Sequence, residues 1–104
     1  NNFSISGYIA QTKHLTVDED DPFTLHCSFK GTPFPASTIR WKKDKKYINH
    51  GRMVISKTNE SLTIRQAQPS DRGIYSCEVN TTGFKPVDSK TYDVKIIGIQ
   101  RMNE

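Results

Sequence analysis

The strongest constraint on this chain is a short alternation of apolar and polar residues that recurs along its length. From Phe23 to Phe29, and again around Cys77, every second residue is apolar or cysteine. In a β-strand such alternation sends successive side chains to opposite faces of the sheet. Turn signals separate these runs at intervals of roughly 8–12 residues, and no helix-period segment of useful length occurs. The pattern predicts an all-β protein in which two sheets pack face to face.

The length of 104 residues suits one domain with one hydrophobic core. We expect a single domain over residues 1–104, with its core at about 8–97 between a short leader and a short linker. The first strand is expected at Tyr8 to Gln11, with a continuation at Leu15 to Val17, and the last strand is expected to run to about Ile97. No targeting signal is visible, and we interpret the chain as a segment of a larger protein.

The same alternation predicts which side chains face the core. They are the apolar, aromatic and cysteine residues at every second position of the strands: Phe23, Leu25, Cys27, Phe29, Ile39, Trp41, Ile55, Leu62, Ile64, Tyr75, Cys77, Val79, Tyr92 and Val94.

The two cysteines, Cys27 and Cys77, both lie within such runs. Two cysteines allow one intramolecular pairing. The alternative is a pair of buried free thiols, as in a reducing compartment. The residues alone leave both readings open.

Several motifs together resemble the immunoglobulin superfamily. The segment Asp71-Arg-Gly-Ile-Tyr75-Ser-Cys77 follows Cys27 and Trp41 at the spacing of that family. Four further patterns resemble its intermediate set: Gly31-x-Pro33-x-Pro35, Trp41-Lys-Lys-Asp44, Ser61-Leu-Thr-Ile64 and Asn80-x-x-Gly83. The resemblance covers about residues 8–97. It implies an immunoglobulin-like β-sandwich of two packed antiparallel sheets with Greek-key connections.

The resemblance also implies structural roles. Cys27 and Cys77 would form a disulfide between the sheets, with Trp41 packed beside it. The Tyr75 hydroxyl would bond to the backbone near the preceding turn, which offsets the burial of a phenol. Asp71 would pair with an arginine, Arg52, although the alternative is that both charges are solvated.

Two turns depart from the intermediate set. Where that set usually has glycine, the turn before Phe23 reads Asp20-Asp21-Pro22, and the turn after Trp41 has Lys45. Because lysine resists positive φ, we expect a tight two-residue hairpin after Trp41 to be disfavoured.

The titratable residues do not indicate catalysis. His14, His26 and His50 form no Ser–His–Asp order and no Cys–His pair. The acidic run at 18–21 lacks the spacing of a calcium loop, and no metal ligands cluster. We expect no enzyme, no metal and no cofactor. A net charge of +4 is too weak to imply nucleic acid, and no apolar run approaches the ~18 residues of a membrane span.

Three sequons begin at Asn2, Asn59 and Asn80, and all three are expected in loops or at strand ends. They favour an origin in the secretory pathway. In the expected topology they share one end of the domain with the Pro-rich loop at 33–35. The opposite end is expected to hold the turn at 69–73 and two charged groups from different sheets, so that it is split by sign: the acidic run at 18–21 and the basic run Lys42 to Lys46.

A basic cluster consists of Arg40, Lys42, Lys43, Lys45 and Lys46. It would suit an acidic protein partner, or heparan sulfate bound weakly. The alternative is a solvated hairpin. If the sequons carry glycans, these would cover their end of the domain, and recognition is then expected on the sheet face that bears Arg40 and Lys42.

Two functions remain. The first is a non-catalytic recognition or spacer module of an extracellular or cell-surface receptor, adhesion or matrix protein, with a homophilic or heterophilic protein partner. The second is an intracellular structural domain of a muscle or cytoskeletal protein such as titin, cytoplasmic and sarcomeric, with reduced thiols. The sequons and the cysteine pair favour the first.

Overall fold

The computed structural model describes residues 12–27, 38–49, 51–80, 83 and 85–98. Within these ranges the chain forms eight strands and one 3₁₀ turn at Pro69–Asp71. The strands are β1 Thr12–Asp18, β2 Phe23–His26, β3 Thr38–Lys43, β4 Lys46–Tyr47, β5 Met53–Ile55, β6 Ser61–Ile64, β7 Gly73–Asn80 and β8 Val87–Ile97. The expected strand at Tyr8 to Gln11 lies outside the described residues.

The strands form a large sheet in the order β1-β8-β7-β3-β4 and a small sheet in the order β2-β6-β5. The predicted sandwich is therefore confirmed. The expectation of purely antiparallel sheets is wrong at one edge, because β1 runs parallel to β8. After Asp18 the chain crosses to the small sheet, where Phe23 pairs with Ile64 in β6. Alternation of side chains reports the face of a strand but not its direction, so this pairing was not predictable.

The core lies between the sheets. Its buried members are Val17, Phe23, Leu25, Cys27, Ile39, Trp41, Leu62, Ile64, Ala67, Tyr75, Cys77, Tyr92 and Val94. Val17 and Ala67 were not in the predicted set. Ile55 packs against the core while only partly buried, Val79 is also partly buried, and Phe29 lies outside the described residues.

Three contacts join the sheets through the core. Cys27 and Cys77 form a disulfide with their Cα atoms 6.1 Å apart. The Trp41 indole Nε1 donates to the carbonyl of Asn59, at 2.9 Å, in the turn between β5 and β6. The Tyr92 hydroxyl donates to the His26 carbonyl oxygen at 2.6 Å and accepts from the His26 amide at 3.2 Å.

The lower end of the sandwich, which holds the 3₁₀ turn at Pro69–Asp71, is organised around Asp71, which is buried. One carboxylate oxygen of Asp71 accepts from the Gln68 amide at 2.7 Å, and the other pairs with the Arg52 guanidinium. The Asp71 carbonyl accepts from the Tyr75 hydroxyl at 2.6 Å. Burial of the Tyr75 ring, with the nearby negative charges of Asp71 and Asp44, raises the pKa of that phenol.

The turn after Trp41 corrects a sequence expectation. Lys43 pairs with Lys46, and the two residues between them have positive φ, 50° at Asp44 and 71° at Lys45. This is the two-residue hairpin that Lys45 was expected to disfavour. It forms because Asp44 is bonded to β7: its carboxylate accepts from the Ile74 amide at 2.9 Å and its amide donates to the Ile74 carbonyl at 2.7 Å.

The register places turns at two ends of the sandwich. At the opposite, upper end, Asn80 pairs with Thr38. The turn containing Asn59 lies at this end too, since the amide of Cys27, the residue after β2, donates to the carbonyl of Glu60 at 2.8 Å. The lower end holds the 44–45 turn, the 69–71 turn and the acidic run at 18–21, whose Asp20 and Asp21 bond to the backbone of Ala67. Asn2 and the Pro-rich loop lie outside the described residues.

The acidic and basic groups at the lower end were expected on different sheets. The expectation is met only in part, because Asp18 ends β1 in the large sheet, whereas Asp20 and Asp21 bond to Ala67, which follows β6 of the small sheet. Asp18 is nevertheless separated from the basic hairpin, since β1 and β4 are opposite edges of the large sheet. Four strand spacings of about 4.8 Å place these edges roughly 19 Å apart, beyond the range of strong charge coupling in physiological salt.

Candidate functional site

The outer face of the large sheet brings together charged side chains of β3, β7 and β8 and the aromatic ring of Tyr47 in β4. Ile39 and Trp41 point into the core, so the alternate residues of β3, Arg40 and Lys42, point outward. The register sets Arg40 opposite Glu78 of β7, and sets Lys42 opposite Tyr47 of β4.

Lys42 is held by two carboxylates. Its Nζ lies 2.9 Å from an oxygen of Asp88 in β8 and 3.4 Å from an oxygen of Glu78. The hydrogen bond to Asp88 is the main cause that raises the pKa of Lys42, and burial opposes it. Much of the charge of Lys42 is therefore compensated within the domain.

Glu78 is nearly covered although it points outward, with 7% of its surface exposed. It also accepts a hydrogen bond from the Tyr47 hydroxyl, 2.8 Å from its Oε1. That bond is the main cause that raises the pKa of the Tyr47 phenol. The bond fixes the position of the Tyr47 ring at the sheet edge.

Arg40 stacks on this ring. Its guanidinium carbon lies 3.6 Å from the centroid of Tyr47, which is the geometry of a cation–π contact. No ion pair among the described residues includes Arg40. Tyr47 itself is 47% exposed. The face thus presents an oriented guanidinium and an exposed aromatic ring, and the Glu78 carboxylate on the neighbouring strand pairs with Lys42 and Tyr47 rather than with Arg40.

The rest of the basic cluster does not converge on Arg40. Lys43 alternates to the other side of β3, where its Nζ donates to the Ser70 carbonyl at 2.6 Å and lies 5.8 Å from the Tyr75 ring centroid. Lys45 and Lys46 are exposed on the hairpin. The basic residues that are adjacent in sequence therefore lie on three different surfaces: the outer face of the large sheet, the opposite side of β3, and the hairpin.

The face continues across β7, β8 and β1 with mixed character. Ile74 is 43% exposed next to the hairpin. On the far edge the His14 ring nitrogen Nδ1 lies 3.3 Å from a carboxylate oxygen of Asp93. Apolar, acidic and basic groups thus share one surface.

The described glycosylation candidates lie away from this face, at the upper end. Asn59 is exposed in the β5–β6 turn with a φ of 65°, and Asn80 is exposed at the end of β7. Asn2 lies outside the described residues.

Tyr47, Glu78 and Asp88 were not singled out from the sequence. The outward position of Glu78 follows from its place beside Cys77, but its partners depend on which strands are neighbours. Tyr47 belongs to a two-residue strand that the sequence pattern did not predict.

The described residues contain no set of three His, Cys, Asp or Glu side chains placed to hold a metal ion. His50 lies outside these ranges. No helix in the described part of the chain has the length and apolar character needed to cross a membrane.

Comparison with known proteins gives one family. The family model described as "Immunoglobulin domain" matches residues 4–80. The chain is 33% identical over 86 residues to the muscle M-line assembly protein unc-89 of Caenorhabditis elegans, covering 79% of the chain and 1% of the relative. It is 36% identical over 80 residues to vascular cell adhesion protein 1 of Rattus norvegicus, covering 77% of the chain and 10% of the relative.

Among solved structures, the insect immune protein hemolin matches with a TM-score of 0.68 at 26% identity. The match covers 85% of this chain and 22% of that one, and the domain arrangement of hemolin has implications for homophilic adhesion. The chain thus spans a small fraction of each of these relatives.

Proposed function

The chain belongs to the immunoglobulin superfamily, and on that basis we propose that it is a non-catalytic recognition module of a receptor, adhesion or matrix protein outside the cell. It is an intermediate-set domain and binds its protein partner through the outer face of the large sheet. The observation that carries this proposal is the stacked pair of Arg40 and Tyr47. Arginine and tyrosine are among the residues that dominate binding energy at protein interfaces.

The partner is expected to bring a carboxylate to Arg40. The guanidinium is already oriented by the Tyr47 ring, so less conformational entropy is lost when it binds. A carboxylate can accept two parallel hydrogen bonds from the planar guanidinium. Ile74, exposed on the same face, would supply apolar contact.

Heparan sulfate is a weaker candidate for the same face. Lys42 is compensated by Asp88 and Glu78, and Lys43 turns away toward Ser70. Repulsion of sulfate by the two carboxylates opposes binding. We expect weak heparin retention that is lost in moderate salt, and retention that survives ~0.5 M salt would contradict this expectation.

The recognition proposal can be tested with the chain in multivalent form on an array of cell-surface and secreted ectodomains, with the chain itself included. Arg40→Glu is expected to reduce binding at least tenfold, since it places a negative charge against the partner's carboxylate. The matched control is Arg65→Glu, an exposed arginine directly after β6 of the small sheet. Binding that is equal for both variants, or no binding to any ectodomain, would overturn the proposal in favour of a spacer.

A structural domain of an intracellular muscle protein is the second candidate, favoured by the similarity to the M-line protein. The disulfide between Cys27 and Cys77 supports the extracellular reading, since such bonds persist in oxidising compartments. Intact mass separates the two. Protein taken from its natural source should gain about 2 Da on reduction if it is extracellular. Free thiols in that protein would instead favour the hypothesis of an intracellular muscle domain.

A further inference from the structure

We propose that Asn59 carries an N-linked glycan and that this glycan covers the outer face of the small sheet. The proposal rests on the proposed extracellular function in one respect, since N-glycans are added in the secretory pathway.

The backbone of Asn59 is fixed from both sides. Its amide donates to the Ser56 carbonyl at 2.9 Å, and its carbonyl accepts from Trp41 in the core. The φ of 65° is one that asparagine tolerates better than most residues. The residue is exposed, and its side chain makes no hydrogen bond to another described residue. Asn59 therefore presents an exposed side chain from a turn whose backbone is bonded on both sides, two positions before the Ser61 hydroxyl that completes the sequon.

The outer face of the small sheet differs in charge from that of the large sheet. The residues that β2, β5 and β6 send outward include no Asp, Glu, Lys or Arg, and they are Thr24, His26, Val54, Ser61 and Thr63. Thr24 and Thr63 share a hydrogen bond of 2.9 Å between their hydroxyls, and Val54 is 45% exposed beside them. Charge returns beyond the strand ends, at Arg52, Lys57, Glu60 and Arg65.

This surface has the chemistry to hold a sugar. Val54 and the threonine methyl groups provide apolar contact for the C–H faces of pyranose rings, and the hydroxyl groups provide hydrogen bonds. Val54 lies two residues before Ser56, so its row is about 7 Å from the start of the turn at ~3.4 Å per residue. The first sugars on Asn59 can reach that distance.

The first test establishes the acceptor. The chain is produced in a secreting mammalian host and examined by intact mass and glycopeptide mapping. We expect a glycan on the peptide that contains Asn59. Asn59→Asp and Ser61→Ala should each remove it, the first with a side chain that also tolerates positive φ. The control Asn80→Asp should leave it in place.

The second test establishes the coverage. An endoglycosidase that leaves the first sugar on asparagine preserves the turn while it removes the rest of the glycan. Carbene footprinting before and after trimming compares Val54 with Ile74, which is 43% exposed on the large sheet. We expect labelling of the Val54 peptide to rise at least threefold, with that of the Ile74 peptide unchanged.

A secreted, disulfide-bonded chain that is bare at Asn59 would overturn this inference and leave the proposed recognition function standing. Equal labelling at Val54 before and after trimming would overturn the coverage. If instead the protein from its natural source has free thiols, the proposed extracellular function fails. The array experiment with Arg40→Glu tests recognition without the glycan, since it can use trimmed protein.

Discussion

At the scale of single residues, the hairpin after Trp41 shows a neighbour overriding local preference. Lys45 adopts a φ of 71°, in a region that costs most residues about 1–2 kcal/mol. Gly73 lies beside this turn with a φ of 152°, and a Cβ there would lie 2.9 Å from an Asp44 carboxylate oxygen. Only a glycine admits the Asp44 carboxylate so close to β7. The turn geometry is thus determined by a contact with a strand distant in sequence.

Lys45→Gly should therefore stabilise the protein. Glycine removes the cost of positive φ, but it also gives the unfolded chain more conformational freedom, which opposes folding. The net increase in the free energy of unfolding should be about 0.5–1 kcal/mol. Urea unfolding measures it. The matched control is Lys46→Gly, one residue further on in β4, which should lower the unfolding free energy. A decrease for both variants would mean that Lys45 is not strained.

At the scale of elements, Tyr92 joins the two sheets by a polar contact. It lies in β8 of the large sheet, and its hydroxyl pairs with both backbone groups of His26 in β2 of the small sheet. β2 is an edge strand of the small sheet, and the register that bonds the Cys27 amide to the Glu60 carbonyl turns the backbone groups of His26 away from β6. These groups therefore need a partner other than β6. The Tyr92 hydroxyl, from the opposite sheet, therefore satisfies the amide and the carbonyl of His26 in β2.

Tyr92→Phe should leave the amide and the carbonyl of His26 without that partner. Loss of the hydroxyl should cost about 1–3 kcal/mol of unfolding free energy and should speed hydrogen exchange at the His26 amide. Tyr47→Phe is the control, since its hydroxyl bonds a side chain on the surface, and its cost should be under ~1 kcal/mol. Unchanged exchange at His26 would show that this contact contributes nothing to the closure of the strand.

The strands illustrate how far sequence reasoning extends. Leu62 and Ile64, like Phe23 and Leu25, were correctly assigned to the core because strand alternation is local. The partners of Lys42 were not predictable, because Glu78 and Asp88 meet it only through the order and register of β3, β7 and β8. A shift between Cys77 and Glu78 in the pairing of β7 with β8 changes that register further. The alternation of residues along a strand therefore predicts which side chains face the core, but it does not predict which distant strands pair.

At the scale of the whole molecule, three titratable groups make the free energy of unfolding depend on pH in the alkaline range. Lys42, Tyr47 and Tyr75 all have raised pKa values in the folded protein, through bonds to Asp88 and Glu78 and, for Tyr75, through burial. Each therefore holds its proton to higher pH than the same group in the unfolded chain. Below pH about 10 both states are protonated and the stabilisation is complete.

Stability should fall as pH rises above about 10, because the unfolded chain then loses protons first. Urea midpoints at pH 8, 9, 10 and 11 measure the fall. Tyr75→Phe should be less stable throughout, since the bond to the Asp71 carbonyl is lost, but its decline above pH 10 should be shallower. A wild-type midpoint that rises across this interval would contradict the raised pKa values.

The parallel pairing of β1 with β8 has a mechanical consequence. The register runs from Thr12 opposite Thr91 to Asp18 opposite Ile97, so the start of β1 and the end of β8 are at opposite ends of the same ladder. Tension applied between those two points would pull the strands past one another lengthwise. The hydrogen bonds of the ladder would then bear the load together rather than open one after another, and the domain would resist stretching more strongly than peeling.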